Sequence, residues 1–433
     1  MLGDSGLADP RSADGAATGA VRLSGGEAPP SGEPSAAEQP AAHRPVPGLD
    51  YRTPFGLVRA HLSYIRGKPS DRRAALRAHA HSGHFGTVHR GLTHGPSGVD
   101  SRVAVVLVNL GTPEEPTARE VRRYLRQFLS DRRVVNLPAI LWRSILELFV
   151  LPVRSGRAAA KYRSIWLDDG SPLYVYTAAQ AAGVAERLAQ GDPHPPEVVF
   201  AMRYGSPGVR EVLDGLRRDG IGRALVVPLY PQYSVPTVAS VIDEVARHAL
   251  SAVNQLEFSL VHSYPTLPGY IEALAARAEE AWERHGRPDF EAGDRMLLSF
   301  HGIPESIDRS GDPYRGQCDQ TAKALRARLG LTEEQCLVTF QSKFGPMPWL
   351  RPATIDTVAE LGRQGVRRLD VTCPGFASDC LETLEEINLL NRAAYMAAKP
   401  DGVFVRHECL NDHPLWLDAL AGMVRSRLAA LDG

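Results

Sequence analysis

The chain has 433 residues, 43% of them hydrophobic and 23% charged, with a formal net charge of -1. That is a soluble globular composition with room for two full cores, and its neutrality leaves no basic field for nucleic acid. Five cysteines, Cys318, Cys336, Cys373, Cys380 and Cys409, are scattered without a CxxC. This fits a reducing compartment and excludes both a disulfide framework and a clustered iron–sulfur ligand set.

Residues 1 to about 50 are rich in Ala, Gly, Pro and Ser and are expected to be disordered. They hold no apolar h-region, and Asp4, Asp9, Asp14 and Glu27 argue against a transit peptide. Between 51 and 100, His79, His81, His84, His89 and His94 sit among Gly, Ser and Arg, which reads as a basic linker ahead of a weak metal tract. Residues 1–100 are thus set apart as an N-terminal extension.

Organised sequence begins at Val103-Ala-Val-Val-Leu-Val-Asn-Leu110, an apolar run of the kind buried on both faces of a parallel sheet. Further strands are predicted at 197–203, 223–230, 256–262, 295–300, 336–341 and 368–372. Helical patterns fall at 206–218, 235–250, 268–285, 317–329 and 353–364. The alternation predicts an α/β protein of two similar doubly wound, Rossmann-like domains, 101–262 and 263–433, with ligands in the cleft at the strands' carboxyl ends. Residues 132–157 are apolar but interrupted by Pro138, Arg143 and Glu147, too broken for the ~20 residues of a membrane span. They read either as a buried helix or as an amphipathic lip flanked by Arg132, Arg133, Arg154 and Arg157.

Chemistry-bearing residues gather at strand ends. Arg203 and Tyr204 end one strand, and Tyr230 and Tyr233 follow another. His301 comes just past a third, with Gly302 permitting a close turn, and Lys343, Met347 and Trp349 follow a fourth. After the last comes Cys373-Pro-Gly-Phe-Ala-Ser-Asp-Cys-Leu-Glu-Thr-Leu-Glu-Glu-Ile387, a turn and then a helix capped by Ser378 or Asp379. On a regular helix Asp379, Glu382 and Glu386 make one acidic stripe, costly unless something positive lies beside it. Aromatic walls, a few cations, one histidine and a row of carboxylates suit a flat apolar acid together with a divalent metal such as Fe2+. No GxGxxG, Walker A or GxSxG motif supports a nucleotide cofactor or a serine hydrolase.

Read together, Leu107-Val-Asn-Leu-Gly-Thr-Pro113, Gly170-Ser-Pro172, Met202-Arg-Tyr-Gly205, Pro228-Leu-Tyr-Pro-Gln-Tyr-Ser234, Ser299-Phe-His-Gly-Ile-Pro304, Gly311-Asp-Pro-Tyr314, Gln341-Ser-Lys-Phe-Gly-Pro346 and Pro374 to Glu386 resemble ferrochelatase, most closely the Gram-negative bacterial type. The resemblance covers roughly residues 102–425. It implies a class II chelatase fold and a lyase that inserts Fe2+ into protoporphyrin IX with release of two protons, the final step of haem biosynthesis.

Carried over by motif, His301 and Glu382 are the essential pair and the metal-handling groups, with Glu386 on an accessory acidic path. Leu110, Arg203, Tyr204, Trp349 and Phe376 line the porphyrin pocket. The resemblance also implies a π-type turn in the acidic helix and an active-site lip at 132–157 that favours the membrane-facing reading. Cys380 stands where animal enzymes carry a histidine, and no animal-type cysteine cluster follows, so no iron–sulfur cluster is expected. No organic cofactor is expected either. The expected protein is a cytoplasmic monomer, with peripheral contact to the inner face of the membrane through 132–157.

Overall fold

The computed structural model describes residues 102–431 apart from 253–254, 344 and 346; the extension at 1–100, with its histidines, lies outside them. Eight strands form two four-stranded sheets. The first holds β1 (Val103–Gly111), β2 (Glu197–Tyr204), β3 (Arg223–Pro228) and β4 (Glu257–Leu260), in the order β2-β1-β3-β4. The second holds β5 (Arg295–His301), β6 (Cys336–Gln341), β7 (Arg368–Thr372) and β8 (Val403–Arg406), in the order β6-β5-β7-β8. Every neighbouring pair is parallel, so both sheets repeat one doubly wound topology. In each, the chain reverses its direction of winding between the two central strands. Loops splay apart there and leave a crevice at the strands' carboxyl ends.

The strands form where the sequence can bury both faces. Ala104, Val106 and Val108 point into one apolar cluster with Val226, Leu213 and Val241. Val105 and Leu107 point into another, which continues through Met296, Leu298 and Phe300 of β5. Each such side chain contributes roughly 1.5–3 kcal/mol on full burial. The two sheets therefore share a core. The C-terminal helix Pro414–Ala429 reinforces it by packing on both Pro172–Ala189 and Pro268–His285. Gly183 makes room for it: a Cβ there would lie 2.5 Å from Leu417.

All seven predicted strands form, and the predicted helix 268–285 coincides with Pro268–His285. The stretch 235–250 instead opens as a π turn, Val235–Ala239, before continuing as Ser240–Ser251. The Gly170-Ser-Pro172 motif starts a helix: Pro172 takes the first position and Ser171 Oγ accepts from Tyr174 N. Asp312, from the Gly311-Asp-Pro-Tyr314 motif, accepts from Ser234 Oγ at 3.0 Å and Val235 N at 2.7 Å, pinning that π turn to the second half.

At the opposite edge of β2, burial pushes the Glu197 carboxyl up to about 7, with Asp219 adding to the rise and Arg102 opposing it. Its folded-state value lies above the unfolded one, so the fold loses stability as pH rises from about 4.5 to 7. Glu197→Gln is expected to stabilise the protein by about 1–3 kcal/mol above pH 7, with the gain fading below the unfolded carboxylate range. Urea unfolding at both pH values checks this. An equal gain at both would contradict it.

Candidate active site

His301 closes β5 beside the crevice of the second sheet. Its Nδ1 lies 2.6 Å from the Gly302 carbonyl. A carbonyl only accepts, so Nδ1 carries a proton, and the lone pair of the neutral ring is the one on Nε2. Among the described residues no hydrogen bond occupies Nε2. The ring is flanked by Trp349 and Phe376, each 6.4 Å away between centroids. Phe376 rides the turn after β7, and an antiparallel bridge of Trp349 with Pro304 brings the indole back. Gly302 permits this approach, since a Cβ would meet the Gln341 carbonyl at 2.9 Å and Trp349 at 3.1 Å. The indole N–H is buried without a partner among the described residues.

The acidic helix departs from the regular geometry assumed for the stripe. Residues Glu382–Asn391 form a π-helix of ten residues, long for a form that is usually a single turn and often marks function. Asp379 precedes it and caps no backbone N–H; instead Thr383 Oγ1 accepts from Cys380 N. Asp379 is buried and takes hydrogen bonds from Thr383, Arg406 and Asn411, at 2.7, 2.8 and 2.8 Å. Glu385 pairs with Lys161 at 2.9 Å, tying the π-helix to Leu151–Ile165. Among the described residues, only Asp379 of the anticipated stripe meets a cation, Arg406; Lys161 serves Glu385, which lies off it.

Glu382 and Glu386 are left without a lysine or arginine partner among the described residues. Glu386 takes two hydrogen bonds from Ser342, from N at 2.7 Å and from Oγ at 2.5 Å. Burial raises its carboxyl above the usual range, while Ser342 and the nearby His301 act to lower it and Glu382 adds to the rise. Beside Glu382 lies the buried Cys380 thiol, pushed well up by burial and then by that carboxylate. Tyr124 and Tyr162, whose rings meet edge to face at 6.4 Å, pack with Leu381 and Leu384 on this side. Burial raises both phenols, and the Glu382 charge raises them further.

Across the cleft, Leu110 at the end of β1 joins the same apolar cluster and keeps partial exposure. Arg203 and Tyr204 do not present free polar groups. Arg203 donates to Asp131 at 2.5 Å and to Ser240 Oγ at 2.7 Å, and the Tyr204 hydroxyl reaches Asp131 at 2.8 Å. Burial works to raise Asp131, but hydrogen bonds from Ser240, Arg133 N and Tyr204, with the Arg203 cation, leave it lowered. Removing one partner of such a buried pair typically costs 3–5 kcal/mol. A cavity of about 640 Å³ opens beside it, lined by Arg132, Arg133, Asn136, Arg203, Asp243 and Arg247. Neither His301 nor Glu382 lines it.

The 132–157 segment is not a buried helix. It folds as Ala139–Ile145, a π turn at Leu146–Val150, and the start of Leu151–Ile165. Leu146 and Leu151 point inward, while Leu137, Ile140, Leu141, Leu148, Phe149 and Val153 are exposed, Ile140 by 89%. Six clustered apolar side chains in water are a surface built to contact something apolar. No helix among the described residues is long and apolar enough to cross a membrane.

By sequence, residues 102–428 match the ferrochelatase family. The chain belongs to that family. It is accordingly a metal chelatase, an enzyme that inserts a metal ion into a tetrapyrrole. Solved structures with a similar fold include SirB from Bacillus subtilis with Fe3+, at 13% identity and TM-score 0.45, covering 75% of this chain and 94% of that one. Another is CbiX, described as the terminal enzyme for biosynthesis of siroheme in denitrifying bacteria, at 17% identity and TM-score 0.40, covering 75% of this chain and 98% of that one.

Of the residues singled out from sequence, His301, Trp349 and Phe376 come together, and Glu382 and Glu386 sit on one π-helix. Arg203 and Tyr204 share a buried hydrogen-bonded group with Asp131 and Ser240, and the Tyr204 ring joins Leu110 in the apolar cluster beside Leu381 and Leu384. Sequence reasoning gave no part to Asp131, Ser240, Tyr124, Tyr162, Lys161 or Arg406, whose importance arises only from tertiary contacts. Gln341 and Ser342 were visible inside a motif, but nothing in their identities announced their contacts.

Proposed function

We propose that this enzyme inserts Fe2+ into protoporphyrin IX, giving protohaem and two protons. The observation that carries this reading is a histidine whose Nε2 takes no hydrogen bond among the described residues, flanked by Trp349 and Phe376 and tied through Gln341 to the carboxylate-bearing π-helix. Two pyrrole N–H groups must lose their protons as the metal enters, so bases are needed beside the ring. The Nε2 lone pair of His301 accepts a proton or holds the metal, and the Glu382 carboxylate serves the same chemistry from the π-helix. Glu386, farther along, passes protons out or metal in. The reaction is redox-neutral and calls for no organic cofactor or iron–sulfur cluster.

Trp349, Phe376 and Leu110 cover the flat face of the macrocycle in this reading, while Arg203 and Tyr204 stiffen the floor on which it rests. The exposed apolar lip favours an apolar tetrapyrrole over one with more carboxylates. It also supports peripheral contact of a cytoplasmic monomer with a membrane surface. The test compares protoporphyrin IX, coproporphyrin III and sirohydrochlorin as substrates with Fe2+. A kcat/KM highest for protoporphyrin IX supports the assignment, and a preference for either other ring counts against it. For the lip, Ile140→Ser with Phe149→Ser is expected to weaken sedimentation with anionic vesicles by at least about tenfold, given roughly 25 cal/mol per Å² of apolar surface. Unchanged sedimentation would remove the membrane contact from the account.

A further inference from the structure

We propose that Gln341 and Ser342, at the carboxyl end of β6, are positioning residues that fix the two active-site acids relative to His301. The inference rests on the reading of His301, Glu382 and Glu386 given above. In the sheet Gln341 stands opposite His301, and its carbonyl accepts from Gly302 N at 2.8 Å. Its buried side chain reaches both ways. Oε1 accepts from Ser299 Oγ at 2.7 Å on the histidine strand, and Nε2 donates to the Glu382 carbonyl at 3.0 Å on the π-helix. One amide thus joins the strand that carries the histidine to the backbone of the glutamate.

Ser342 supplies the second hold. Its φ of 67° is a left-handed value that a non-glycine residue seldom adopts. Turned this way, the backbone N–H and the side-chain hydroxyl both meet the Glu386 carboxylate, one on each oxygen. Two donors on two oxygens fix the rotamer of that acid. The π-helix also needs outside support, because its wide turn interrupts the ordinary i→i−4 ladder. From outside the helix Gln341 donates to the Glu382 carbonyl, and the helix's own last residue, Asn391, donates from Nδ2 to the Glu386 carbonyl at 2.8 Å. The end of β6 thus holds the π-helix at the Glu382 backbone and at the Glu386 carboxylate.

The two residues make separable contributions. Ser342 orients Glu386 and acts on metal delivery, whereas Gln341 fixes Glu382 and acts on the insertion step. Ser342→Gly tolerates the left-handed backbone and keeps the amide donor while deleting the hydroxyl. It is therefore a fold-safe probe. Steady-state metallation of protoporphyrin IX by Fe2+ or Zn2+ is expected to show the KM for metal raised about tenfold or more in Ser342→Gly, the net worth of about one hydrogen bond to a charged group. The KM for porphyrin should stay unchanged. Gln341→Glu, which sets a carboxylate against a carbonyl, is expected to lower kcat with porphyrin binding retained. Wild-type turnover together with an unaltered metal KM in Ser342→Gly would overturn the positioning role and leave the reaction assignment intact. A parallel loss of metal and porphyrin affinity with thermal stability would also overturn it, since that is what a purely structural role gives. Absence of turnover in wild type would sink the assigned reaction, and the clamp with it.

Discussion

His301→Ala is expected to lower kcat for metal insertion by about 10²–10⁴-fold, the range for removing a positioned proton acceptor. Porphyrin binding should survive if, as proposed, Trp349 and Phe376 on either side of the imidazole cover the macrocycle. The variant should also fold. The only hydrogen bond that the His301 side chain makes among the described residues is to the carbonyl of its neighbour Gly302. Porphyrin fluorescence titration and stopped-time metallation separate the two effects. Loss of binding in step with loss of turnover would make the histidine a pocket wall instead of a participant. A protein that only carries tetrapyrroles should bind as before and have no turnover to lose.

Glu382→Gln is the second large effect. The amide keeps the size of the carboxyl group and its place on the π-helix, so packing against Leu381, Leu384 and Tyr124 is undisturbed. What disappears is a charge that has no lysine or arginine partner among the described residues. Structural carboxylates in this region are paired, as Asp379 is with Arg406 and Glu385 with Lys161. The Glu382 carboxylate adds to the rise that burial imposes on a neighbouring thiol and two phenols, and such perturbed groupings cluster at functional sites. Turnover is expected to fall by about 10²-fold or more. Stability should hold or rise, because relieving an unpaired charge removes repulsion from Glu386. A variant with full activity and lower stability would reverse the assignment and make Glu382 structural.

Much of the architecture was readable because parallel strands announce themselves. Val103 to Leu110 is apolar at successive positions, a pattern that serves a strand buried on both faces. β8 escaped notice because four residues, Val403–Arg406, carry too little pattern. Helix Pro172–Ala189 was missed for the opposite reason: Ala, Gly, Thr and Gln are buried on several sides, so no polar face marks its period. The shared core, which lets the C-terminal helix pack on the first half, follows from contacts over two hundred residues apart in the chain and leaves no local trace.

The site was legible in its residue types and less so in its geometry. His301 stood out at a strand's end and Glu382 in a row of acids. The acidic stripe was misplaced because it assumed a regular helix. Asp379 lies before the π-helix and belongs to Arg406 and Asn411. Arg203 beside Tyr204 looked like a cation waiting for a carboxylate ligand, yet Asp131, 72 positions away in sequence, already satisfies it. Ser342 reads as an ordinary loop serine. Only its left-handed backbone shows what it holds.

The most direct test of the central claim is anaerobic reaction of the purified protein with Fe2+ and protoporphyrin IX, following loss of porphyrin fluorescence, appearance of haem absorption and proton release with an indicator. The account predicts catalytic turnover with two protons released per haem formed. Tight porphyrin binding without turnover by either Fe2+ or Zn2+ would contradict it.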